Sequence, residues 1–133
     1  MDPIGRWHEY VRTDDPALLD ALLADDVMFQ SPAVHTPQVG KAVAFKYLRA
    51  AAQVLGEGGF RYLDEWRAEQ SAVLEFECVV DGLQVNGVDI VYWNERGLIT
   101  RFKVMIRPMK ALHAVVPRMS AALGMTPAPA QPS

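Results

Sequence analysis

The stretch NGVDIVYWN, residues 86–94, alternates β-branched and aromatic side chains two residues apart, the spacing of a β-strand. Asp89 stands in its middle, on the face it shares with Val85, Val91 and Trp93. The opposite face carries Val88, Ile90 and Tyr92, which are also apolar, so parity alone leaves the orientation open. If the odd positions face inward, Asp89 enters the core and Val88, Ile90 and Tyr92 need a partner. If the even positions face inward, Asp89 is an ordinary solvated residue.

Three neighbouring segments share the period of two: FRYLDEWR (60–67), SAVLEFECVVD (71–81) and LITRFKVMI (98–106). Turn signals join them, Asp81–Gly82 and the NERG of 94–97 among them. LITRFKVMI sorts into an apolar side of Phe102, Val104 and Ile106 and an opposite side of Arg101, Lys103 and Met105, continued by Arg107. Leu74, Phe76 and Cys78 form the apolar side of LEFECV, against Glu75 and Glu77.

Upstream the period is helical. PIGRWHEYVR (3–12) places Ile4, Trp7, Tyr10 and Val11 at helix spacing. In TDDPALLDALLADD (13–26) Asp15 caps and Pro16 opens a second helix, with Leu18, Leu19, Leu22 and Leu23 as its apolar stripe. VMFQSP (27–32) reads as a short strand stopped by Pro32, and AVHTPQVG (33–40) as a loop. KAVAFKYLRAAAQVL (41–55) is a third helix presenting Ala44, Tyr47, Leu48, Ala51 and Leu55, ended by GEGG (56–59). A last helix covers 109–124, with a kink expected at Pro117. Helices followed by an antiparallel meander make the fold α+β.

The chain has 133 residues, enough for one domain, assigned to 1–124. Residues 125–133, within which TPAPAQPS (126–133) holds three prolines, are expected to be a disordered tail. A net charge of −3 with no basic block offers no general attraction to nucleic acid or to a membrane surface. No cationic-then-apolar start and no long apolar run are present, so the expectation is a soluble cytoplasmic protein. Cys78, the single cysteine, lies in an apolar run and reads as a small buried hydrophobe. No His/Cys/Asp cluster has metal-ligand spacing, and no cofactor is called for.

The succession of a helix, LLADDVMFQSP (22–32), VGKAVAFKYL (39–48) and a meander closing on VDIVYWNERGLITRFKV (88–104) resembles the nuclear transport factor two-like superfamily. Its polyketide-cyclase (SnoaL-like) group is the most similar. The resemblance spans residues 6–123 and rests on an acidic pair before a strand and proline, then a turn glycine before the last strand. It implies a curved antiparallel sheet wrapped by N-terminal helices into a cone with an internal pocket, the cystatin-like α+β barrel. It implies homodimers joined through the outer sheet face, here Val88, Ile90 and Tyr92. It also implies that Asp89 points inward, where the steroid-isomerase branch has an aspartic acid that helps bind a developing oxyanion.

In that setting Asp89 and His35 are the candidate catalytic residues. A carboxyl group among apolar side chains loses solvation of its charged form, so its pKa rises and it can donate a hydrogen bond, as in the ketosteroid isomerase pattern. The bland alternative makes Asp89 structural, bonded to a tyrosine or a backbone amide. His35, in a proline-bracketed loop, can serve as a base near neutral pH or be a plain exposed loop residue. His8 and His113 have no convergent partner in the sequence and are read as surface residues. The expected ligand pocket comprises Trp7, Phe29, Tyr47, Phe76, Val91, Phe102 and Val104. Trp7 falls where the isomerase branch has its oxyanion-binding tyrosine, and Tyr47 matches a tyrosine common on the third helix, whose hydroxyl can reach Asp89 or a ligand.

The departures matter equally. Ser31 stands where the isomerase branch has its catalytic carboxylate. Residues 98–107 contain no acid of the polyketide-cyclase kind, and Gly87 stands where epoxide hydrolases of this fold have an arginine. The expectation is therefore a protein with an apolar pocket for a small apolar molecule. The active form of that reading is an isomerase-, cyclase- or dehydratase-type proton transfer on a carbonyl-bearing substrate. The alternative is a non-catalytic binding or dimeric interaction module of the same fold.

Overall fold

A computed structural model describes residues 2–124; the tail expected at 125–133 lies outside the described residues. The chain runs α1 (Pro3–Thr13), α2 (Pro16–Leu22), β1 (Leu23–Gln30), β2 (Gln38–Val39), α3 (Lys41–Gly56), β3 (Arg61–Arg67), β4 (Ser71–Val80), β5 (Leu83–Trp93), β6 (Ile99–Arg107) and α4 (Met109–Ala122). The six strands form one curved sheet in the order β2-β1-β6-β5-β4-β3. The meander β3–β4–β5–β6 is antiparallel as the sequence leads one to expect, β2 also pairs antiparallel with β1, and β1 joins β6 in parallel, so the curved sheet is mostly antiparallel.

The helix starts follow from local chemistry. The Asp2 carboxylate accepts the Gly5 amide at 2.6 Å, and Asp15 accepts that of Ala17 at 2.9 Å, each satisfying an amide with no intrahelical partner. Helix α2 stops at Leu22, and Leu23 already belongs to β1, so the strand begins earlier than the run VMFQSP suggests. Gln38–Val39, expected as loop, pairs with Met28 and Phe29 of β1. Helix α4 continues through Pro117 to Ala122, although that proline has no amide for the ladder.

Register decides the direction of β5. Asp89 pairs with Leu74 on one side and Val104 on the other, both inward-facing and buried. Asp89 is therefore inside the sheet, 6% exposed, while Val88, Ile90 and Tyr92 lie half-buried on the outer face. Gly87 has a packing reason to be glycine. A Cβ there would stand 2.5 Å from both the Phe76 ring and the Met105 carbonyl oxygen. The core joins Trp7 and Tyr10 of α1 to Phe29, Phe76 and Phe102 of the sheet, with Trp7 4.7 Å from Phe102 between ring centroids. Burial of each such ring contributes about 1.5–3 kcal/mol. No described helix is long and apolar enough to cross a membrane.

Candidate functional site

Between the sheet and helices α1, α3 and α4 lies a cavity of about 400 Å³. Its walls are mostly apolar, with Phe29, Phe102 and Val104 from the sheet, Leu48 and Leu55 from α3, and Val115 from α4. Asp89 lines it, and it is the one buried polar or charged residue among the described residues.

A directed hydrogen-bond chain holds that carboxyl group. The Trp7 indole N–H donates to the Tyr62 hydroxyl oxygen at 2.9 Å, and the Tyr62 hydroxyl donates to Asp89 Oδ2 at 2.5 Å. The first link is fixed in direction, because an indole nitrogen can only donate. With Tyr62 donating to Oδ2, Oδ1 has no partner among the described residues and is the oxygen left to carry a proton in that arrangement. Burial raises the Asp89 pKa to about 7, although the Tyr62 hydrogen bond works the other way. The Tyr62 hydroxyl is pushed well above its ordinary value, first by burial and then by the Asp89 charge beside it. With its pKa raised to about 7, Asp89 is a group on the wall of the apolar cavity that exchanges a proton near neutral pH.

Behind Tyr62 stands an ionic cluster. His8 Nε2 lies 2.8 Å from Glu65 Oε1, and its ring meets that of Tyr62 edge-on at 5.4 Å. Arg67 bridges Glu65 and Asp2. His8, read as a surface residue with no convergent partner in the sequence, is part-exposed, but it does have a partner in the fold: it pairs with Glu65 and its ring meets the tyrosine that holds Asp89. At the rim, Arg49 donates to Tyr10 Oη at 3.2 Å and to Asp14 Oδ1 at 2.8 Å.

Of the expected pocket residues, Trp7, Phe29, Tyr47, Phe102 and Val104 line the cavity together with Asp89. Phe76 and Val91 do not; both are fully buried in the core. The Phe76 ring is covered by Phe60, stacked on it at 5.1 Å, and Phe60 takes the wall position instead. His35 is exposed and is not a lining residue, so the structure does not bring it to Asp89. Ser31 Oγ accepts the amides of Ala33 and Val34, and this tight turn leaves residues 31–34 on the cavity wall with His35 beyond them. Tyr47, considered as a partner for Asp89, packs on Phe29 at 5.4 Å, and Tyr62 makes that bond.

Tyr62 is the functional residue that pattern reading missed. The signal was present as the inward pair Phe60 and Tyr62, but a register irregularity between Tyr62 and Asp64 breaks the alternation of β3 just after it. Among the described residues no group of His, Cys, Asp and Glu is arranged to hold a metal ion.

Comparison with known proteins places this architecture. The profile of the SnoaL-like domain family matches residues 4–102. A steroid delta-isomerase from Pseudomonas aeruginosa is 31% identical, with a TM-score of 0.87 over 92% of this chain and 89% of that one. An uncharacterized protein with a cystatin-like fold from Silicibacter pomeroyi is 36% identical, with a TM-score of 0.83 over 90% and 83% of the two chains. A putative SnoaL-like polyketide cyclase from Jannaschia shares the fold at 6% identity, with a TM-score of 0.69 over 85% of this chain and 90% of that one. None of the curated proteins compared matches the chain. The fold and the residues matched make this chain a member of the SnoaL-like domain family, with the nuclear transport factor two-like fold.

Proposed function

We propose that the cavity binds a small apolar molecule bearing a carbonyl oxygen, and that Asp89 donates its Oδ1 proton to that oxygen in an isomerase-, cyclase- or dehydratase-type step. One observation carries the reading. A single buried carboxyl group, with Oδ2 engaged by Tyr62 and a pKa raised to about 7, lines an otherwise apolar cavity. The 31% identity to a steroid delta-isomerase agrees with it. In the step, the Asp89 O–H bond breaks as an O–H bond forms on the ligand. The electron pair of the adjacent C–H bond becomes the enol double bond, and the carbon proton leaves to water at the cavity mouth. A carboxylic acid already placed at that oxygen needs no reorganisation as charge develops.

A second reading, a binding protein without turnover, is favoured by a specific observation. The other carboxylate on the cavity wall, Asp14, is held by Arg49 at the rim. Hydrogen–deuterium exchange next to the carbonyl of 2-tetralone, followed by NMR, separates the two. The proposal expects exchange above the buffer rate that Asp89→Asn abolishes. Binding without accelerated exchange supports the second reading. Binding and exchange indifferent to Asp89→Asn refute both.

The outer sheet face supports a proposed homodimer. Val88 and Ile90 form its centre, with Glu75 and Glu77 on β4 to one side and Arg101 and Lys103 on β6 to the other. A twofold axis along β5 sets the acidic side of one copy over the basic side of the other and stacks the apolar centres.

A further inference from the structure

Hydrogen-bond accounting along the cavity wall leaves one tyrosine hydroxyl engaged neither as donor nor as acceptor within the described residues. Trp7 and Tyr62 are used in the chain to Asp89, and the Ser31 oxygen is fixed on its own loop by accepting the turn amides of Ala33 and Val34. The Tyr10 oxygen and the Asp14 carboxylate are fixed at the rim by accepting from Arg49. Ser120 lies in α4, where a serine hydroxyl can turn to the carbonyl one helical turn back. Tyr47 lines the cavity, and its hydroxyl bonds no group among the described residues. Nothing in its packing supplies a partner, since its ring rests on Phe29 at 5.4 Å.

From this we infer that Tyr47 is a second oxygen anchor, and that the ligand is an elongated apolar molecule with an oxygen function at each end. The inference rests on the proposed role of Asp89. Phe29 under Tyr47 pairs with Phe102, which pairs with Val91, two residues from Asp89 on the same face. Tyr47 and Asp89 thus stand over strands two apart, a separation on the order of 10 Å at ordinary strand spacing. Phe102 and Val104 floor the interval, which suits a rigid hydrocarbon body. A tyrosine hydroxyl both donates and accepts, so the far function is an alcohol, a phenol or a second carbonyl.

The test uses 4-phenylphenol, with one oxygen, and 4,4′-dihydroxybiphenyl, with one at each end of the same skeleton. Binding to wild type, Tyr47→Phe and Asp89→Asn is measured by calorimetry. In wild type the diol is expected to bind about five- to tenfold more tightly, the value of one hydrogen bond and above the statistical twofold from identical ends. Tyr47→Phe removes that gain and leaves 4-phenylphenol affinity unchanged, while Asp89→Asn weakens both probes. A gain no larger than twofold in wild type, a gain that persists in Tyr47→Phe, or an equal loss of both probes in that variant overturns the second anchor alone. Failure of both probes to bind wild type, or Asp89→Asn without effect on either, overturns the reading of Asp89 and this inference with it.

Discussion

Replacing Asp89 with asparagine should stabilise the protein at alkaline pH, because the buried carboxylate works against folding. Its pKa is about 7 in the folded protein against an ordinary 3.8. Between those values the native state holds a proton that the unfolded chain has released, so stability falls as pH rises through the window and levels off above about 7. The whole window corresponds to roughly 4 kcal/mol, and the part between pH 5 and 7 to about 2–3 kcal/mol. Asparagine keeps the side-chain shape and still offers an oxygen to the Tyr62 hydroxyl, but it has no charged form. Urea unfolding of both proteins at pH 5 and pH 8.5 cancels every other titrating group in the difference. The Asp89→Asn variant should gain about 2–3 kcal/mol on wild type between the two conditions. A difference that does not change with pH would refute the burial argument.

Other consequences follow from single contacts. Tyr62→Phe takes away the hydrogen bond that favours the Asp89 carboxylate, so Asp89 should hold its proton about tenfold more tightly in an NMR titration. The same change leaves the Trp7 indole N–H without its acceptor and should cost about 1–3 kcal/mol in urea unfolding at pH 5. Gly87→Ala sets a methyl group against the Phe76 ring and the Met105 carbonyl, and should lower stability by about 1–3 kcal/mol. Ile90→Lys places a charge at the centre of the proposed dimer face; sedimentation should show a dimer for wild type and a folded monomer for the variant.

The change from helical to strand period at Phe60 is plain in the residue pattern, and with it the α+β class and nearly every element. What that pattern could not settle was the direction of β5, because both of its faces are apolar. Register against Leu74 and Val104 settles it, and register is a property of three strands together. The site was legible to the extent that it depends on parity. Phe76 and Val91 face inward as expected, yet facing inward is not the same as lining a cavity, since a neighbour such as Phe60 can cover the position. His35 shows the limit for loops, where side-chain direction follows turn hydrogen bonds such as those of Ser31 and leaves no periodic trace. Tyr62 was hidden by a strand irregularity, and its bond to Asp89 spans β4, a pairing invisible to spacing along the chain.

The central claim is that Asp89 exchanges a proton near neutral pH and offers it to a ligand oxygen. Titration of its ¹³C-labelled side-chain carboxyl by NMR, with and without 2-tetralone, tests this most directly. The account predicts a midpoint at about 7 in the free protein, moved higher by the ketone, which binds the protonated form. A midpoint in the ordinary carboxylate range, or one that saturating ketone does not move, would contradict it.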